Sequence, residues 1–177
     1  DELMKGMLDA NAKGAAGLVL DVETGEILAL ASLPSFNPNL IDRAGEANIF
    51  NRVTNQVYEL GSTFKPLAVA AAIDAGSVTD LSRRYSARPF RVSGYTIKDS
   101  HDLGASLNTP EMLMHSSNVV TGHIVADLGP NRLKKVMADL HMNARPEIEL
   151  PARGFPIWSS GDWPLLRAIT VGYGHGI

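Results

Sequence analysis

A proline at the head of an alanine-rich stretch constrains the fold of this chain more than any other residue. Pro66 precedes a run of apolar residues from Leu67 to Ile73, and Gly76 follows the run. Proline lacks an N–H and clashes inside a helix, but it is tolerated in the first turn. We therefore predict a helix over residues 63–75 that begins close to Pro66 and ends at Gly76.

The same helix start places a hydroxyl beside an amine. Gly61 permits a sharp entry, and Ser62 and Lys65 stand three residues apart, about one turn along one face. The helix dipole and partial burial are both expected to lower the pKa of Lys65. A lysine that is neutral part of the time can take the serine proton, as in Ser-Lys nucleophile activation. The alternative is a capping serine beside a surface lysine, since Ser-x-x-Lys also occurs by chance.

The remaining elements follow from periodicity and turn residues. Two apolar runs joined by Glu23-Thr24-Gly25 predict a hairpin with a central position in a sheet. Ser93-Gly94 predicts the turn of a smaller hairpin. The predicted segments are a helix at 3–8, strands at 15–22, 26–31, 90–92 and 95–97, helices at 109–114, 118–128 and 132–140, and a loop at 144–164.

A second polar cluster, Ser116-Ser117-Asn118, separates two of these helices. In such a turn Ser116 can relay a proton between Lys65 and a leaving amine, and Asn118 offers a donor and an acceptor to a substrate amide. The alternative is a helix N-cap, where Ser and Asn are also favoured. Ser-x-x-Lys followed by Ser-x-Asn is the motif pair of penicillin-binding proteins and class A β-lactamases.

The chain resembles the transpeptidase domain of a class B penicillin-binding protein. It is most similar to the division-specific, septal type, because Tyr58-Glu59-Leu60 stands where the elongation type usually has Pro-Pro. The matching stretches are spread over nearly the whole chain: Gly25–Ala29, Pro34–Asn39, Asn51-Arg52, Gly61–Pro66, Ser116–Asn118 and Gly172–Gly174.

The resemblance implies a fold and a reaction. The fold is α+β and β-lactamase/transpeptidase-like, with a five-stranded antiparallel sheet flanked by helices and a helical subdomain. Ser62 would attack the D-Ala-D-Ala carbonyl of a peptidoglycan stem peptide, and an amine of a second stem peptide would take the acyl group to form a crosslink. The family's base, proton relay and substrate-amide contact correspond to Lys65, Ser116 and Asn118. β-Lactam antibiotics would acylate Ser62.

The family's third motif, Lys-Thr-Gly or Lys-Ser-Gly, does not occur in the sequence. In the family it lies well downstream of the Gly-Tyr-Gly region, docks the substrate carboxylate and supplies one oxyanion N–H. We therefore interpret residues 1–177 as the N-terminal and central part of a transpeptidase domain, incomplete at its C-terminal end. Loss of one oxyanion donor costs about 10²–10³ in rate, so these residues alone are expected to be inactive or poorly active.

Composition excludes several classes of function. The net charge of -3 argues against nucleic-acid binding. The absence of cysteine excludes thiol catalysis and thiolate metal sites, and the five histidines show no metal-ligand spacing, so no metal or cofactor is expected.

Location and partners come mainly from the resemblance. No stretch reaches the ~18 apolar residues of a membrane span, so any anchor is expected in an upstream segment. The resemblance implies the bacterial cell envelope, in the periplasm or at the outer face of the inner membrane. The implied partners are stem peptides, β-lactams and proteins of the division machinery.

Three other functions remain open. A class D β-lactamase or a β-lactam sensor also carries Ser-Thr-Phe-Lys, although that group usually has Ser-x-Val where this chain has Ser116 to Asn118. Glu147 or Glu149 could activate water for deacylation, which would make the protein a hydrolase. A non-catalytic relative could keep the fold as a scaffold. The lifetime of the acyl-enzyme separates a β-lactamase from a transpeptidase or a sensor.

Overall fold

The computed structural model describes residues 1–176, apart from the side chains of Arg43 and Ala47. The chain forms two compact units, Asp1–Val57 with Arg145–Phe155 and Tyr58–Ala144 with Pro156–Ile177. The helices are α1 Glu2–Asp9, α2 Glu46–Ile49, α3 Arg52–Asn55, α4 Lys65–Asp74, α5 Thr109–His115, α6 Asn118–Leu128, α7 Pro130–Asp139 and α8 Leu165–Gly172. The strands are β1 Ala15–Leu20, β2 Ile27–Leu33, β3 Tyr85–Ser86, β4 Phe90–Val92, β5 Tyr95–Ile97 and β6 Ser106–Leu107.

The first unit contains the predicted large hairpin. β1 and β2 pair antiparallel from Ala15↔Leu33 to Leu20↔Ile27. Asp21 stabilises the turn between them, because its Oδ1 accepts hydrogen bonds from Glu23 N at 2.9 Å and from Thr24 N at 2.8 Å. α1 and α3 pack against this hairpin. β2 continues to Leu33, two residues beyond its predicted end.

The large hairpin does not occupy the predicted central position within the described residues. Strands of residues 1–176 form three separate two-stranded sheets, and β1 and β2 pair only with each other. Leu18 and Leu28 are therefore 46% and 63% exposed.

The second unit is built around α6, which packs against α4, α7 and α8. Seven of the eleven residues of α6 are buried, and its apolar residues are not confined to one face, as is typical of a helix that is surrounded by others. Residues from all four helices contribute to the core, among them Ala68, Ile124, Leu133 and Ile169, each at most 1% exposed.

Helix starts in this unit follow proline and capping residues. Pro66 lies in the first turn of α4, as predicted, and a 3-10 turn over Gly61–Phe64 precedes that helix. α5 begins at Thr109, as predicted, and its cap is Asn108, because Asn108 and Glu111 exchange side chain-to-backbone hydrogen bonds of 2.9 Å in a capping box. α7 begins at Pro130, two residues before its predicted start.

The smaller hairpin has the predicted strands and turn. β4 and β5 pair from Phe90↔Ile97 to Val92↔Tyr95, and Ser93 and Gly94 both have positive φ, as a tight hairpin requires. α8 was not predicted. Within residues 1–176 no helix combines the length and the apolar character needed to cross a bilayer.

Candidate active site

Three of the predicted site residues meet at the side chain of Lys65. Its Nζ donates hydrogen bonds to Ser62 Oγ at 3.1 Å and to Ser116 Oγ at 2.9 Å. It also donates to the Ser116 carbonyl oxygen. Ser62 and Ser116 are exposed, whereas Lys65 is only 1% exposed. One buried amine therefore joins two hydroxyls that solvent or a substrate can reach.

Local backbone geometry produces the Ser62–Lys65 pair. Gly61 has a φ of 58°, a conformation that glycine adopts without steric cost, and it opens the 3-10 turn that carries Ser62. The 3-10 turn leads directly into α4, whose first residue is Lys65. Phe64 between them is buried and anchors the turn in the core. The lysine is thus directed inward while the serine remains at the surface.

Burial lowers the pKa of Lys65 below the ordinary lysine value. Desolvation penalises the charged ammonium. The negative charge of Asp99 acts in the opposite direction and raises the pKa of Lys65, but burial is the larger effect. The predicted direction is therefore present, and its main cause is burial.

The Ser116-Ser117-Asn118 turn presents Ser116 to the lysine. Ser116 adopts the left-handed conformation after α5, with φ 57° and ψ 41°. Such a conformation is uncommon for a residue other than glycine and often marks a functional site. The alternative role of this motif, a helix N-cap, belongs to Ser117, which is fully buried and accepts a hydrogen bond from Val120 N at 3.0 Å.

Asn118 opens α6 and is half-buried. Its backbone N–H donates to Asp99 Oδ1. No hydrogen bond joins its side-chain amide to any residue of the described part of the chain. Within the described residues that amide therefore makes no hydrogen bond to Ser62 or Lys65, and its role toward a substrate stays a prediction.

Asp99 is a residue that the sequence analysis missed. Its Oδ2 accepts a hydrogen bond from Ser117 Oγ at 2.7 Å, and its Oδ1 accepts from Asn118 N and from Val119 N at 3.2 Å. A carboxylate is favourable at a helix N-terminus. In the sequence Asp99 is an acidic residue just after a predicted strand, but nothing in the sequence shows that its carboxylate contacts the beginning of α6.

The segment after α8 holds the nucleophile turn in place. Gly61 N donates to the Gly174 carbonyl at 2.9 Å. Glu59 Oε2 accepts a hydrogen bond from Gly176 N at 3.0 Å and lies 3.1 Å from His175 Nδ1. The stretch Gly172–Gly174, one of those that match the family, therefore ends in a contact with the nucleophile turn.

The other residues considered for catalysis have different surroundings. Glu147 and Glu149 belong to the first unit, where they line a cavity of about 470 Å³ with Thr24–Leu28. Within residues 1–176, no cluster of three His, Asp or Glu side chains could hold a metal ion.

Ser62, Lys65 and Ser116 all lie in the part of the chain that matches a known protein family. A model of the penicillin binding protein transpeptidase domain matches residues 15–177. The chain belongs to this transpeptidase family. Its relatives include a protein of Caulobacter vibrioides named "Probable peptidoglycan D,D-transpeptidase FtsI", to which this transpeptidase chain is 35% identical over 177 residues. The match covers 100% of this chain and 30% of that relative.

Solved structures agree with the fold of the transpeptidase family. A peptidoglycan glycosyltransferase from Burkholderia ambifaria superposes with a TM-score of 0.83 at 25% identity, over 98% of this chain and 51% of that one. The TP domain of penicillin-binding protein 3 from Burkholderia pseudomallei gives 0.81 at 25% identity, over 98% and 48% of the two chains. The predicted α+β transpeptidase-like fold is confirmed, and the chain spans only part of each relative.

Proposed function

We propose that residues 1–177 are the N-terminal and central part of a peptidoglycan D,D-transpeptidase domain in which Ser62 is the nucleophile. One observation carries the proposal. Lys65 Nζ is buried and lies within hydrogen-bond distance of both Ser62 Oγ and Ser116 Oγ. An amine held in this way, with a lowered pKa, is suited to take a proton from one hydroxyl and pass it to the other.

In the first half-reaction, neutral Lys65 takes the proton of Ser62 Oγ while that oxygen attacks the carbonyl of the penultimate D-Ala. The bond between this carbonyl carbon and the nitrogen of the terminal D-Ala then breaks. A proton passes through Ser116 Oγ to the departing amine. The products are free D-Ala and an ester on Ser62.

In the second half-reaction, an amine of another stem peptide attacks the ester. Its proton returns along the same hydroxyls, and Ser62 leaves as an alcohol. The result is an amide crosslink between two peptides. A β-lactam follows the first half-reaction, but its ring nitrogen remains tethered to the acyl group after the C–N bond opens, so the ester persists.

Residues 1–177 alone are expected to have little or no transpeptidase activity. The backbone N–H of Ser62 is suited to serve as one oxyanion donor, and the second donor belongs to the third motif, which this sequence lacks. Asn118 is proposed to hold a substrate amide, because its own amide is left without a partner in the described residues and lies in the same turn as Ser116.

Peptidoglycan stem peptides lie outside the cytoplasmic membrane, so the proposed substrate places the protein in the bacterial cell envelope. An anchor in the inner membrane would be supplied by an upstream segment. The name FtsI, carried by the Caulobacter relative, supports a role in septal synthesis with partners from the division machinery.

The test uses the full-length protein that contains this chain. Incubation with a fluorescent penicillin is expected to produce a covalent adduct that lasts for many minutes, and Ser62→Ala is expected to abolish it. Incubation with peptidoglycan precursors is expected to give crosslinked dimers and free D-Ala. Release of the penicilloyl group within seconds, without crosslinks, would identify a β-lactamase instead.

A further inference from the structure

A carboxylate from the small hairpin reaches the turn that carries Ser116. β5 ends at Ile97, which is 5% exposed, and the hairpin packs against α6. Phe90 of β4 stacks on His123 of α6, with ring centroids 4.3 Å apart. Asp99 follows two residues after β5, so a packed element determines its position.

Both oxygens of Asp99 are used at the beginning of α6. Oδ2 accepts from the Ser117 hydroxyl at 2.7 Å, while Oδ1 accepts from the backbone N–H groups of Asn118 and Val119. One side chain thereby satisfies three donors. Two are backbone N–H groups of the first turn of α6, which have no intrahelical partner, and the third is the hydroxyl of the buried Ser117. The carboxylate thus fixes the residue that directly follows Ser116.

Ser116 follows the last residue of α5. It is exposed, and its backbone N–H donates to the carbonyl oxygens of Leu113, at 3.3 Å, and Met112. Its left-handed conformation directs both its carbonyl and its hydroxyl at Lys65 Nζ. The neighbour that Asp99 holds, Ser117, is fully buried. The contacts therefore run from Asp99 through Ser117 and Ser116 to Lys65.

From this chain of contacts we infer that Asp99 is a positioning residue of the proposed active site. It holds the Ser116-Ser117 turn so that Ser116 meets Lys65, and its charge acts on that lysine. The inference rests on the proposed function. Asp99 touches neither Ser62 nor Lys65 through a hydrogen bond in the described part of the chain, so its effect on the reaction passes through the turn and through its electrostatic field.

The charge of Asp99 affects the pKa of Lys65, which a residue with only a packing role would leave unchanged. Among the charged groups that the structure describes, Asp99 is the one that shifts the pKa of Lys65 electrostatically, and it raises it. Lys98, His101 and Asp102 are charged or titratable neighbours that line the same cavity of about 640 Å³ as Asp99. Removal of the Asp99 charge is therefore expected to lower the Lys65 pKa further.

The test compares Asp99→Asn with Asp102→Asn in the full-length protein. Asp102 is an exposed neighbour that accepts a hydrogen bond from Gly104 N at 2.8 Å and, within the described residues, makes no hydrogen bond to the Ser116 turn. The rate constant for acylation by a fluorescent penicillin is measured against pH. Asp99→Asn is expected to lower the plateau about 10- to 100-fold, because the turn loses its anchor, and to move the acidic limb to lower pH. Asp102→Asn is expected to change neither.

Ser117→Ala provides the second variant if Asp99→Asn does not fold. It removes the bond to Oδ2 but keeps the carboxylate charge, so the plateau should fall while the acidic limb stays in place. An acylation rate within about twofold of the parent in either folded variant would overturn the inference. A slower Asp99→Asn enzyme with an unmoved limb would also overturn it, since that result describes a structural residue alone.

The outcome also separates this inference from the proposed function. If the parent protein forms no adduct on Ser62, the proposed function fails. If the parent is acylated on Ser62 and Asp99→Asn behaves identically, only the role of Asp99 fails.

Discussion

Gly174 approaches Gly61 so closely that a β-carbon on Gly174 would lie 1.9 Å from the Gly61 carbonyl oxygen. The nearest atoms are all backbone atoms of Gly61, which cannot move aside as a flexible side chain can. Gly174 also has a φ of 83°, a conformation that disfavours any residue with a side chain. The segment after α8 can therefore lie against the nucleophile turn only with a glycine at position 174.

Substitution of Gly174 is therefore expected to displace Ser62. Gly174→Ala should slow acylation of the full-length protein by at least about 10-fold, because a shift of about 1 Å at a reacting group costs roughly 10²-fold in rate. It should also lower the melting temperature, since the strained backbone alone costs about 1–3 kcal/mol. The measurements are penicillin labelling kinetics and a thermal melt.

Gly161→Ala is the matched control for this substitution. A β-carbon at Gly161 would meet no atom within 4 Å, and its φ is not in the left-handed region. The control should label at the parent rate. Equal rates for the two variants would mean that the Gly61–Gly174 contact does not position the nucleophile.

The lowered pKa of Lys65 predicts the pH dependence of acylation. Only the neutral amine takes the serine proton, so the rate should rise with pH through the Lys65 pKa and reach its plateau below the pH at which an ordinary lysine deprotonates. Lys65→Arg should abolish acylation, because a guanidinium stays protonated. A rate that continues to rise into the ordinary lysine range would contradict a buried base.

Lys134 is expected to hold the loop that follows residue 155. Its Nζ donates to Ser160 O at 2.8 Å and to Gly161 O at 2.6 Å, and it lies within 6 Å of the rings of Trp158 and Trp163. Lys134→Met should free this loop and increase the rate of proteolytic cleavage between residues 156 and 164. Limited proteolysis with mass spectrometry measures the cleavage rate.

Lys135→Met is the control for the loop prediction. Lys135 forms an exposed pair with Asp139 on the same helix, and such pairs contribute at most about 0.5 kcal/mol. Its proteolysis pattern should match that of the parent. Loop cleavage that is equally fast in both variants would argue that the lysine contacts do not hold the loop.

The core around α6 predicts a large loss of stability on truncation. Ile124 is fully buried, so Ile124→Ala should destabilise the protein by about 2–5 kcal/mol, from lost burial and the cavity left behind. Ile73→Ala removes the same atoms at a position that is 46% exposed and should cost clearly less. Thermal melts of the two variants compare them, and equal shifts would place α6 outside the core.

Local patterns made much of this arrangement predictable. Pro66 fixed the start of α4 and hence the relation of Ser62 to Lys65, because both depend on one turn of backbone. Ser93-Gly94 identified the small hairpin for the same reason. α8 was missed, although its buried residues Ala168, Ile169 and Gly172 stand at helical spacing, because the preceding Trp- and Pro-containing segment was interpreted as loop.

Contacts between distant positions were not predictable in this way. Asp99 and Ser117 are 18 residues apart, and Glu59 and Gly176 are 117 apart. No periodicity or turn rule links such pairs, since they meet only after α4, α6 and α8 have packed. The sequence motifs therefore supplied the reacting groups, whereas the structure supplied the residues that hold them.

Identification of the acylated residue tests the central claim most directly. The full-length protein is incubated with penicillin, digested, and its peptides are analysed by mass spectrometry. We expect a single penicilloyl adduct on Ser62, and none in a folded Ser62→Ala variant. An adduct on another residue, or no adduct in a folded parent protein, would contradict the assignment of Ser62 as the nucleophile.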